Sequence, residues 1–478
     1  MFDPDIAPSG SLLGLLQRGR GDGPLHALAA QRAEALAALE QCVLRDPRLD
    51  WRVESRSLYY ARLYSDLEGP LDGIEQHLFH TDDLLTPDEH RCGLALSVLG
   101  HLAGYGRRDA LHLLRRYATT GGCWEWALDE LAVRDDEAGL RSLGPAIVAR
   151  FPRTPEGDAE LARAVREAYE PRPWQIWAED SSQPGTARRV GKATEQVSFD
   201  RWQRQMRPAG PTPGWSVGAV LEWAQQGLTQ YPAVERDQAA ARCLTAVAGP
   251  EDRPELLAAA LDGPSAARAA ALRHLVDRRD PRRLELIETA AAGTDELVVR
   301  AALESFERLN DDEVLARALD WAARTDALGS AAARILARHG DPASTEVADL
   351  VLGALRRTVQ TGGADADGLA ALVEGVGRLV ECRAAPVLRH LYRETSSSQL
   401  RGTAARALAV ADPGFAAGFA VECLWDCEES TRELAAHRAT SGDVRVLAQL
   451  RRLAADPAEE AEVQTAVRGR LSSGGSAR

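Results

Sequence analysis

An all-α fold, a superhelix of stacked helix pairs, is predicted by three observations on this chain. Through the C-terminal half a helical pattern restarts about every thirty residues, most clearly at Asp280-Pro281, Asp311-Asp312, Asp341-Pro342, Asp412-Pro413 and Gly442-Asp443, and self-similarity at that period marks a helical solenoid. Of the 478 residues 45% are hydrophobic, 5% aromatic and 27% charged, with Ala and Leu, the leaders of the helix-propensity order, throughout. Strand-type clusters of Val, Ile, Thr and aromatic residues are nearly absent.

In chain order, residues 1–23 read as a loose leader and 24–170 as degenerate helical repeats. Helices are expected at 24–45, ended by Asp46-Pro47, then at 51–66, 70–80 and 87–103. Pairs continue at 107–119 with 123–134 and at 136–150 with 156–169, and Gly69-Pro70, Gly104, Gly121-Gly122 and Pro152 mark the boundaries. Ser216 caps a helix carrying Val217, Val220, Leu221 and Trp223, which opens a repeat array over 216–471. Within it Asp280 supplies an N-cap carboxylate and Pro281 the first helical position, where a missing N–H costs nothing. That helix carries Leu284, Ile287 and Ala291 and breaks at Gly293, and the next holds Val299, Leu303 and Phe306 on one face. The cycle restarts at Asp311-Asp312 with Leu315, Leu319 and Ala322, at Asp341-Pro342, and at Arg383 to Pro386 after the turn Gly362-Gly363-Ala364-Asp365. Asp412-Pro413 and Asp443 open the last units, Asp456-Pro457 caps a final helix, and 472–478 is a flexible tail. About ten helix pairs in a right-handed curved array are expected.

These units resemble HEAT repeats, of the short variety found in bilin-lyase-like proteins. Such units place an acidic residue in the turn between the two helices and an Arg near the start of the second. Asp262 with Arg268, Asp295 with Arg300 and Asp426 with Arg432 stand in that relation. Arg401 follows a Ser-rich turn without such an Asp, and Arg334 lies farther from Asp326 than the pattern allows. The resemblance covers residues 235–470 well and the N-terminal part loosely. It implies a scaffold that binds rather than catalyses, with Arg and carboxylates forming a ladder between adjacent repeats.

Between the halves, residues 171–215 break the pattern as a Pro/Trp-rich insertion. It holds Pro171, Pro173, Pro184, Pro208, Pro211 and Pro213 with Trp174, Trp177, Trp202 and Trp215. Tryptophans are costly to leave in water, so part of this stretch must pack on the array or on a partner. Phe199 and Trp202 would share one face of a short amphipathic helix between Ser198 and Met206, with Arg201 and Arg204 solvated opposite them. Trp174, Trp177, Trp202, Arg201 and Arg204 are therefore candidate partner-binding residues.

The net charge of −14 and pI of about 5.3 suit nucleic acid poorly, because phosphate neutralisation needs clustered Lys and Arg, and Lys192 is the only lysine. Cys42, Cys92, Cys123, Cys243, Cys382, Cys423 and Cys427 are scattered and odd in number, as expected of reduced thiols. Cys423 and Cys427 match no redox or zinc spacing and read as small core residues. The start Met1-Phe2-Asp3-Pro4-Asp5 lacks a basic signal-peptide region, and no run approaches the roughly 18 apolar residues of a membrane helix. A cytoplasmic protein without a membrane anchor or cofactor is expected.

His77, His80 and His90, beside Cys92, Asp82, Asp83, Asp88 and Glu89, form the one cluster of ligand-type residues. The plainer reading is solvent-facing histidines beside an acidic loop. HEAT-type iron hydroxylases carry His-Glu pairs, and no His here is followed by Glu. Trp124, Trp126 and Asp129 match the residue types with which HEAT-like alkylpurine DNA glycosylases hold a damaged base and assist bond cleavage. Apart from Arg115 and Arg116, the flanks lack phosphate-gripping cations, and a Trp filling the gap beside Gly121-Gly122 is the plainer reading. No P-loop, nucleophile-elbow or dinucleotide-binding motif occurs. The sequence thus predicts a non-enzymatic scaffold that binds a protein on a concave surface of second helices, with Glu304, Arg308, Arg406 and Glu433 among its residues. The alternative is a glycosylase-like DNA-binding protein.

Overall fold

The structure, a computed structural model, describes residues 6–48, 56–81, 87–205, 214–230, 236–440 and 442–475, with side chains omitted at 196–205, 227–230 and 473–475. Among the described residues there are 28 α-helices, three short 3-10 turns and no strand. The helices pack in neighbouring pairs, as in an α-solenoid. The chain divides into two compact units, one formed by residues 1–207 with 391–478 and the other by residues 208–390.

The Asp-Pro restarts prove to be turns placed ahead of the helices rather than N-caps. Asp280, Asp341, Asp412 and Asp456 each accept a hydrogen bond from the backbone N–H two residues on, at 2.8–3.0 Å, and Asp46 does the same with Arg48. This Asx geometry competes with helix initiation, so the helices begin later, at Arg283 and at Thr345 under its own cap Ser344. Where no Pro intervenes, Asp295, Asp311, Asp326 and Asp443 do cap their helices.

In the unit 208–390 the second helix of each pair stacks on the next. Asp237–Val247, Ser265–Asp277, Glu296–Glu307, Ala327–His339 and Leu369–Arg378 follow in that order, each second helix backed by the first helix of its own pair. Ser265–Asp277 has neighbours on nearly every side, and ten of its residues, from Ala266 to Val276, are buried. Its Ala-rich surface permits that approach, as expected of a helix with no solvent face. Farther along, Phe306 and Trp321 fill the space between two pairs with ring centroids 5.1 Å apart.

In the other unit the expected helices of 70–170 form within a few residues of their predicted ends, from Asp72–Leu78 to Pro155–Glu167. Residues 24–45 instead hold two helices, Asp22–Ala29 and Arg32–Leu44, parted at Ala30 without any Gly or Pro to announce it. The stretch expected as an insertion continues the helical packing with Arg172–Ala178 and Pro184–Gln205. Pro171, Pro173 and Pro184 sit at helix starts, where they are tolerated, and Pro208, Pro211 and Pro213 lie outside the described residues.

Residues expected as a loose leader are anchored. Leu12–Gln17 is a helix capped by Ser11, and Leu15 and Leu16 are buried. Behind it, Gly19 accepts hydrogen bonds from the Cys427 N–H and Arg401 Nη2 at 3.0 and 3.2 Å. Gly19 has φ +66°, and a Cβ there would lie 2.4 Å from Cys427 Sγ, so only glycine fits. Tyr59 and Tyr60 donate to the carbonyls of Arg20 and Leu16, which fixes the segment from the other side. The seam continues through Arg48 and Arg56, which both donate to the Ser396 carbonyl, and Arg62, which pairs with Asp456 and Glu459 at 2.8 and 3.0 Å.

Candidate functional site

Among the sequence-predicted candidates, Trp124 goes to the core. It is 6% exposed, edge-on to Phe151 and Trp174, with the Arg150 guanidinium over its ring. No open ring face remains for a base to stack on. Trp126 donates from Nε1 to the Ser97 hydroxyl, which in turn donates to Glu130. Asp129 accepts the Glu170 N–H at 3.2 Å, and burial pushes its carboxyl up to about 6.

Trp174 and Trp177, candidates for partner binding, are instead taken up by the core, as the alternative of packing on the array has it. They are 3% and 1% exposed, edge-on to each other, and Trp177 Nε1 donates to the Leu140 carbonyl at 2.7 Å. Trp202, Arg201 and Arg204 lie on the helix Pro184–Gln205, and their side chains fall outside the described residues. His77 Nε2 is bonded to the Arg91 carbonyl at 2.9 Å. Among the described residues no three His, Cys, Asp or Glu side chains converge as a metal site would require, and Asp82 and Asp83 lie outside them. Cys423 and Cys427 are both buried, and Cys423 Sγ lies 3.3 Å from the Tyr392 hydroxyl.

The second helices carry the most ordered charge pattern. In the unit 208–390, Arg273 bridges Asp237 and Glu304 at 2.7 and 2.6 Å, Arg308 meets Asp277 at 3.0 Å, and Arg334 and Arg338 both engage Glu307. Along the first helices, Arg283 reaches Asp311 and Glu313, and Arg324, in the turn after Asp312–Trp321, reaches Glu288. Each of these bonds joins one pair to the next, so the period of the chain reappears as an ionic ladder. Of the signature residues, Arg268 donates to the Ala260 carbonyl, and Asp295 is engaged by its own helix and by Ser265.

The same ladder runs through the C-terminal repeats in a buried form. Arg401 pairs with Asp426 at 2.8 Å and Arg432 with Glu459 at 2.7 Å, with every one of these side chains at most 1% exposed. Arg432 also donates to the carbonyls of Asp426 and Cys427, which ties the predicted Asp426–Arg432 pair through the backbone. Arg406 is bonded to Ser430 and Thr403 beside it.

Outside that buried pair an open groove runs between the second helices Glu429–Arg438 and Ala461–Gly475. Glu433, His437, Glu462, Thr465 and Arg470 line it, together with the small residues Ala461, Ala466 and Gly469. The carboxylates of Glu429, Glu433, Glu460 and Glu462 have no hydrogen bond or ion pair among the described residues. Burial raises the Glu429 carboxyl above its ordinary range, and Glu460, Glu428 and Glu462 add repulsion that Arg432 only partly offsets. Arg470, at the other end, donates to the Ala439 carbonyl at 3.1 Å. Of these residues the sequence reading named only Glu433. Glu429, Glu433 and His437, four apart on one helix face, carry a signal that could have found the rest. A scan of protein-family models and a search of curated proteins returned no match to this chain, so the site is read from its own geometry.

Proposed function

We propose that this protein is a non-catalytic, HEAT-like helical-repeat scaffold that holds a protein partner on the face made by its second helices. The observation that supports this reading most directly is the regular stacking of second helices, which sets charged side chains at repeat intervals along one layer. Repeat proteins use such extended faces to bind chains longer than a pocket could hold. In this reading Glu304, Arg308, Arg406 and Glu433 are contact residues. Capture of partners by the full-length chain, with cross-linking and mass spectrometry, tests it. Cross-links from a recovered protein to residues of the second helices are expected. Cross-links confined to the first helices, or turnover of a small molecule with no protein recovered, would overturn it. Salt-sensitive binding to duplex DNA in place of protein would favour the glycosylase-like alternative.

A further inference from the structure

We propose that the groove between Glu429–Arg438 and Ala461–Gly475 receives an Arg- and Lys-rich segment of the partner protein. This rests on the scaffold reading and specifies the chemistry of what is bound. On the second helices of the unit 208–390, Glu304 is answered by Arg273 and Glu307 by Arg334. At the last pair Glu433 and Glu462 line an opening in which no arginine of the described residues pairs with them, and Glu429 and Glu460 add negative charge at the same end. A side chain built at Gly469 would meet no atom within 4 Å, so the groove has room beside it for an incoming chain.

Cations complement this end. A second copy of the chain does not, because it too would carry a net charge of −14. The site also has a direction. Glu429 and Glu462 stand at the N-terminal ends of the two helices, while His437 and Arg470 stand toward the C-terminal ends. The basic part of the partner therefore lies over the N-terminal ends, and its neutral or acidic part passes Arg470.

Fluorescence anisotropy with the full-length chain tests this. The probe is a labelled helical peptide of Arg, Lys, Ala and Leu, and the control peptide replaces Arg and Lys with Glu. The basic peptide should bind and the acidic one should not. Glu433→Gln with Glu462→Gln should weaken binding roughly tenfold, the scale of two partly exposed ion pairs, and should flatten its salt dependence. The matched control, Glu288→Gln with Glu313→Gln, removes the same charge from exposed acids on first helices and should leave affinity within about twofold. Gly469→Leu, which fills the groove while keeping every charge, should also weaken binding, with unchanged helicity as the check on folding. Equal losses in both double variants would show general attraction to an acidic chain and overturn the proposal, as would the absence of peptide binding. If the Glu433/Glu462 variant captures the same native partner as the parent chain, the scaffold reading survives and the groove assignment fails.

Discussion

The array at 208–390 and the C-terminal repeats at 391–478 use one ionic device at two depths. In the array most rungs are open to water: Arg308 and Asp277 are 53% and 52% exposed. In the C-terminal repeats Arg401–Asp426 and Arg432–Glu459 are closed off from it. The difference follows from what covers them. Residues Gly19 and Arg62 reach the C-terminal rungs and help shut out solvent. Depth decides energy: exposed ion pairs contribute little, whereas a buried pair that loses one member leaves a charge in a poorly solvating interior.

The largest effect should come from Arg401→Ala. It strands Asp426 at 0% side-chain exposure and should cost about 3–5 kcal/mol, read from urea unfolding followed by circular dichroism. A loss below about 1 kcal/mol would erase the distinction between the two regions. Arg273→Ala probes a deep rung of the array, since Asp237 is 1% exposed, and a similar loss of about 3–5 kcal/mol is expected there.

Next in size is Gly375→Ala. Its Cβ would fall 2.4 Å from the Ala337 Cβ on the neighbouring second helix, and overpacking of that kind costs about 1–3 kcal/mol. A neutral result would mean that the second helices can move apart freely, against the tight stacking described above.

Acid should weaken the first unit through His101. Burial, then Arg134 and Arg62, lower its pKa from 6.5 to about 4. The unfolded chain therefore binds this proton first. The contribution is fully present above pH 6.5 and is lost as pH falls from there toward 4. His101→Gln should flatten that part of the melting-temperature profile between pH 7 and pH 4.5, and an unchanged slope would assign the acid sensitivity elsewhere. The smallest effect is expected from Arg308→Ala, below about 1 kcal/mol, because both partners are half exposed.

How much of this was legible in the sequence varies with the range of the interactions. Helices such as Glu89–Gly104 and Trp124–Arg134 were readable because periodicity and Gly boundaries are local. The break at Ala30, the Asx turns at Asp-Pro and the anchoring of Leu12–Gln17 were not, since each depends on hydrogen bonds or packing that local propensity does not encode. For the candidate site, Glu433 was legible as a charged second-helix residue. Glu462 and Gly469 were not, because their role depends on which helix lies beside them.

The sequence by itself determined an all-helical chain that repeats at solenoid period, because helix propensity, apolar spacing and turn residues act within a few positions of one another. Only the tertiary structure decided that Trp124, Trp174 and Trp177 fill a core instead of meeting a ligand. It also decided which arginine answers which acid, commonly about one repeat away along the chain. Burial and pairing are set by neighbours brought together on folding, and the pairing of residue 19 with residues 401 and 427 leaves no periodic trace in sequence.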